Sequence, residues 1–220
     1  MTGRAIASLC RLVCGTSVQW HCDPYGTTQR IYFSNHSSHL DFIVIWSALP
    51  SLLRQRIRPV AAREYWERNA IRRHLATDVF NAVLIERGSD GPKARAAVSH
   101  PSCAVDAARA TTSFIAAEIG SAYSLILFPE GTRCASGSVG PFKSGLYFLS
   151  QARPDIELIP VCLENLNRIL PKGEALPVPM LSRVIFGAPL PMTMSEDKTP
   201  FLERARAAVM QLGAHLGSKC

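Results

Sequence analysis

The stretch Asn35-His36-Ser37-Ser38-His39-Leu40-Asp41 holds the residue types best suited to chemistry. A carboxylate against one imidazole nitrogen fixes the tautomer and stabilises the imidazolium, leaving the other nitrogen as a general base. His36 and Asp41 can form that pair if the turn between them folds back. The chain has no Ser in a G-x-S-x-G elbow, so the nucleophile would be a substrate hydroxyl. The competing reading makes Asp41 a helix N-cap and leaves the histidines on the surface. His36, His39 and Asp41 also spell H-x-x-H-x-D, which would suit a metal-dependent hydrolase, although no second cluster with ligand spacing accompanies them. A second stretch, Phe128-Pro129-Glu130-Gly131-Thr132-Arg133, forces a tight turn in which Arg133 could grip a phosphate by its planar fork and Glu130 could hold a hydroxyl or orient the arginine. An ordinary surface ion pair is the plainer reading of those two. Ile85-Glu86-Arg87 is the third.

Each of these stretches follows a short apolar run that reads as a strand. Ile31–Ser34 opens into Asn35-His36, Ala82–Ile85 ends at Glu86-Arg87, and Ser124–Phe128 is cut off by Pro129. Asp41 precedes a helix over Phe42–Leu49, closed by Pro50. Further strands are expected over 59–62, 157–162 and 183–186, and helices over 63–80, 103–119, 143–152 and 195–212, with loops over 88–101 and 134–140. Gly120 stops the second of these helices. Strands alternating with helices predict an α/β fold with a mixed, largely parallel central sheet covered by helices. The carboxyl ends of parallel strands gather at one edge, so His36, Arg87 and Arg133 are expected in one crevice. A base, two cationic grips and no covalent nucleophile suit transfer of an activated group to a hydroxyl on a phosphorylated acceptor.

The 220 residues fit one domain over 25–220 preceded by an N-terminal segment, 1–24. With 47% apolar and 19% charged residues the chain is neither disordered nor a coiled coil nor collagen-like. Twenty-four basic against seventeen acidic residues leave +7, which favours anionic partners. Seven cysteines without a C-x-x-C indicate neither a disulfide framework nor a zinc ribbon. No apolar run reaches the roughly 18 residues of a spanning helix. Near the N-terminus Ala5, Ile6, Leu9, Leu12 and Val13 recur at helical spacing, with Arg4, Ser8 and Arg11 on the other side. That amphipathic segment could lie in a membrane interface or pack on the domain's own core.

The spacing of four blocks resembles the 1-acyl-glycerol-3-phosphate (lysophosphatidic acid) acyltransferase family of glycerophospholipid acyltransferases. Its N-H-x-x-x-x-D block is matched by Asn35, His36 and Asp41, and F-P-E-G-T-R-S runs from Phe128 to Arg133 with Cys134 in the last place. G-x-x-F-I-x-R is matched by Asn81–Arg87, with Asn81 and Leu84 substituted and Ile85 and Arg87 kept. Ile159-Pro160-Val161 stands for the fourth. The resemblance implies that His36, oriented by Asp41, deprotonates an acceptor hydroxyl that attacks the thioester of an acyl-CoA or acyl-carrier protein. It implies that Arg87, Glu130, Gly131, Thr132 and Arg133 bind a lysophospholipid, most simply 1-acyl-glycerol-3-phosphate on its way to phosphatidic acid, with a lyso-aminolipid as an alternative acceptor. No metal and no resident cofactor are implied. Arg54, Arg56, Arg58, Arg63, Arg68, Arg72 and Arg73, with Trp46, Tyr65 and Trp66, could meet anionic headgroups or coenzyme A phosphates, or form a solvated face. No nucleic-acid module is present. The expected place is peripheral, on the cytoplasmic face of a membrane.

Overall fold

The structure is a computed structural model, and it describes residues 2–38, 40–86, 101–134, 138–169, 178, 180–193 and 195–214. His39, Arg87 and residues 88–100 of the expected loop over 88–101 therefore lie outside the described residues, while Pro101 begins a helix. Among those described, seven strands form one sheet: β1 Ser17–Trp20, β2 Arg30–Ser34, β3 Ile57–Ala62, β4 Val83–Ile85, β5 Ser124–Leu127, β6 Glu157–Glu164 and β7 Arg183–Phe186. Their order is β1-β7-β6-β2-β5-β3-β4. All neighbours are parallel except β6 and β7, so the sheet is mixed and largely parallel. β2 lies at its centre, with β5 and β6 on either side, and all five of its residues are buried. A strand covered on both faces needs apolar side chains pointing both ways. Ile31 and Phe33 enter one core, and Tyr32 enters the other.

The first core lies under α1 (Thr2–Cys14) and α2 (Asp41–Ala48). Short helices α3 (Ser51–Arg54), α4 (Arg63–Trp66) and α5 (Ala70–His74) follow. The second core is closed by α6 (Pro101–Ile119), α7 (Gly145–Ala152) and α9 (Lys198–Ala214), while α8 (Leu166–Ile169) returns to the first. The result is a sheet between two helical layers. Gly120, just past α6, has φ of +50°, the left-handed geometry that ends a helix at glycine.

One expected element takes another form. Residues 63–80 are not one helix: α4 stops at Trp66, and Asn69 opens α5 by accepting from the Arg72 amide at 2.8 Å. A π-type turn over Leu75–Val79 completes the segment. The capping side chain overrides a helical period that ran on through it. α1 does form, but it docks through Ala7, Cys10 and Cys14, with Gly3 facing Trp46. Arg11, itself exposed, reaches across to donate twice to the Ser47 carbonyl, whereas Leu9 and Leu12 are 61% and 80% exposed. The helix thus has two apolar faces, and the one built on small residues, flanked by the half-buried Ile6 and Val13, makes the contact because small residues let the helices approach closely. β1 had no signal of its own: Ser-Val-Gln-Trp is short and mostly exposed, held at the sheet edge by parallel pairing with β7 and by Trp20 stacking on Phe186 at 3.7 Å.

Candidate active site

Because β2, β5, β3 and β4 run parallel, their carboxyl ends share one edge of the sheet, and β2 sits where the strand order departs to both sides. Asn35, the first residue past β2, is buried. Its side-chain amide donates to the Leu163 carbonyl and accepts from the Leu163 amide, both at 2.9 Å. The side chain so replaces a peptide unit of the ladder and releases the main chain to turn away. His36 follows, and its ring stacks on Phe128 at the end of β5, centroids 4.3 Å apart.

The turn folds back as the chemistry requires. His36 Nδ1 lies 2.8 Å from Asp41 Oδ2, and the Ser37 and Ser38 amides donate to the same oxygen at 2.6 and 2.9 Å. Asp41 is the first residue of α2 and is fully buried, so its charge is held by three donors and the helix N-terminus. It accepts from residues ahead of the helix and so does not serve as an N-cap. A carboxylate only accepts, so Nδ1 carries the proton and Nε2 is left as the basic nitrogen.

The second stretch surrounds the histidine. Glu130 is 6% exposed, and its two oxygens accept from the His36 amide at 2.8 Å and the Gly140 amide at 3.0 Å. Burial raises its carboxyl above the ordinary value, opposed by those two bonds and by the imidazole. The Cys134 amide donates to the His36 carbonyl at 2.8 Å. Gly131 has φ of +70°, and a Cβ there would come within 2.9 Å of the Lys143 side chain. Only glycine turns the chain this tightly beneath that lysine.

His36, Gly131 and Arg133 line one cavity of about 1130 Å3. Lys143 lines it too. Nothing in its spacing had singled this residue out, since a lone lysine before a helix looks like any solvated one. Arg133 Nη1 is buried without a hydrogen-bond partner among the described residues. Apolar lining comes from Ala107, Ala108 and Ile115 of α6, Leu146 and Leu149 of α7, and Leu127, beside the polar Thr111, Thr112, Glu64 and Glu86. Glu130 and Thr132 are not among the lining residues, and Arg87 lies outside the described residues. Asp41 stands behind the histidine. The arrangement offers a base, two cations and an apolar wall in one space, sized for a large ligand.

The family model Acyltransferase matches residues 24–164. The chain is similar to the 1-acyl-sn-glycerol-3-phosphate acyltransferase of Limnanthes alba, 25% identical over 81% of this chain and 57% of that one. It is 27% identical to the alpha form of the same enzyme from Mus musculus, over 67% of this chain and 45% of that one. It therefore spans about half the length of these curated relatives. Among solved structures it resembles the 1-acyl-sn-glycerophosphate acyltransferase PlsC of Thermotoga maritima, with a TM-score of 0.71 at 17% identity, covering 100% of this chain and 80% of that one. That likeness carries the fold. The matched segment of this chain contains the buried His36–Asp41 pair, the Glu130 turn and the parallel strands that bring them together, and by that match the chain belongs to the acyltransferase family, alongside the 1-acyl-sn-glycerol-3-phosphate acyltransferases.

Proposed function

We propose that this protein moves a fatty acyl group from an acyl-CoA or acyl-carrier protein to the free hydroxyl of a lysophospholipid, with 1-acyl-glycerol-3-phosphate giving phosphatidic acid as the first choice. The observation that carries the reading is the His36 Nδ1–Asp41 contact of 2.8 Å in a residue that lines the same cavity as Arg133 and Lys143. His36 Nε2 takes the proton from the acceptor hydroxyl as its oxygen attacks the thioester carbonyl. Asp41 stabilises the imidazolium that forms, and the proton passes to the departing thiolate as the tetrahedral intermediate collapses. Arg133 and Lys143 hold the acceptor phosphate, the first by its fork and the second as a point charge. The alanine-rich wall of α6 takes the acyl chain.

The reading extends to a peripheral place on the cytoplasmic face of a membrane. The exposed Leu9 and Leu12 of α1 and the net charge of +7 support it, since apolar insertion and attraction to anionic lipid add. No helix of the described residues is long and apolar enough to cross a membrane.

The test is thiol release from a panel of acyl-CoAs with and without lysophosphatidic acid, for the wild type and His36→Ala. Release that needs the acceptor and is lost in the variant is expected. Release without acceptor would make the protein a thioesterase, and acceptor-dependent release undiminished in His36→Ala would refute the base.

A further inference from the structure

We propose that Glu130 is a positioning residue that fixes the main chain of His36, rather than a ligand of the acceptor. The inference rests on the acyltransferase reading above, and it divides the Phe128–Arg133 stretch into a part that holds the base and a part that holds substrate.

Both carboxylate oxygens of Glu130 are already engaged by main-chain amides, His36 on one side and Gly140 on the other. The side chain is buried and does not line the cavity, whereas its neighbours Pro129, Gly131 and Arg133 do. A group that bound substrate would keep an oxygen turned toward that space. The His36 peptide is also gripped at its other end, since its carbonyl accepts from Cys134, and its ring rests on Phe128. One turn thus holds the histidine at amide, carbonyl and ring while Asp41 holds Nδ1. The clamp is anchored in turn: Arg206 of α9 donates to the carbonyls of Val139 and Gly140 at 2.6 to 3.0 Å. Gly140 completes it by size. A Cβ there would lie 2.8 Å from Glu130 Oε2, and Gly140 is not among the glycines with positive φ, so an alanine is refused by the carboxylate alone.

The cost of burying an ionised carboxyl is consistent with this role. Burial pushes its carboxyl above the usual range, and a fixed negative charge behind the histidine is tolerated because two amides meet it. Reactivity then depends on where Nε2 points, and a displacement of about 1 Å is enough to lower turnover about a hundredfold.

The experiment compares the wild type with Glu130→Gln and Gly140→Ala by initial rates, thermal melting and NMR of histidine-labelled protein, the His36 ring signal being identified by its loss in His36→Ala. Gly140→Ala leaves Glu130 in place and reaches the same clamp from the other side. Both variants are expected to shift the His36 signal with the other histidines unmoved. Turnover should fall about ten- to a hundredfold, with the KM for lysophosphatidic acid within about twofold of wild type. A KM for the acceptor raised tenfold or more with turnover kept would make Glu130 a substrate ligand and overturn the proposal. An unmoved His36 signal in both variants would also overturn it, with no need for activity. Lack of acceptor-dependent turnover in the wild type would instead count against the acyltransferase reading, and the NMR comparison would still decide the clamp.

Discussion

On the proposed reading, replacing His36 by alanine removes the general base, and it leaves the Asn35 and Glu130 contacts of the main chain intact. Turnover should fall by about 10²- to 10⁴-fold, the usual contribution of a general base, with the melting temperature held. On the same reading Arg133→Ala and Lys143→Ala act on binding instead. Each removes a charged hydrogen-bond donor, worth about 1.5–3 kcal/mol, so each should lower kcat/KM for the acceptor about ten- to a hundredfold, chiefly through KM. Steady-state kinetics with lysophosphatidic acid as the varied substrate checks both. A loss confined to turnover would show that these cations do not hold the acceptor.

At the scale of elements, the turn after β2 depends on Asn35 standing in for a peptide unit. Asn35→Ala leaves the Leu163 amide and carbonyl buried and unpaired, a cost of about 1–3 kcal/mol per group. Denaturant unfolding should show that loss, and activity should fall with it because His36 is the next residue. α1 poses a different question. Deleting residues 1–16 would move the protein from membrane to soluble fraction on the peripheral reading, but it would also strip Ala7, Cys10 and Cys14 from the first core. The paired change Leu9→Ser and Leu12→Ser touches the exposed face alone. Burying one such leucine is worth about 1.5–3 kcal/mol, so binding to anionic vesicles should weaken at least about tenfold while the melting temperature holds. Unchanged sedimentation with vesicles would remove α1 from the membrane reading.

Glu130 contributes to the pH dependence of the whole molecule's stability. Its carboxyl is raised above 4.5 in the folded state, so between that value and the folded one the native protein binds more protons than the unfolded chain. Stability from this group is therefore greatest in acid and falls as pH rises. Glu130→Gln has no such loss, so its melting temperature minus that of the wild type should increase from pH 4.5 toward neutrality. A flat difference across that range would show that Glu130 titrates normally. Salt probes the other global property: with +7 overall, vesicle binding should weaken as ionic strength rises.

The candidate site was legible in the sequence because His36, Asp41 and the Phe128–Arg133 turn sit next to strands short and apolar enough to read. Local composition fixes a strand end, a tight turn and a helix start, and parallel strands then leave one edge for all three. Tertiary structure alone decided what these residues touch. The sequence spacing allowed Glu130 to face a substrate, but packing against His36 and Gly140, which are 94 and 10 residues away in sequence, turned it to the main chain. Lys143 joined the site because Gly131 leaves room beneath it. α1 presents Leu9 and Leu12 outward because two apolar faces compete for one surface, and a linear period does not say which face packs more closely. Residue types and local spacing determine which chemistry is possible; long-range packing determines which atoms are left free to perform it.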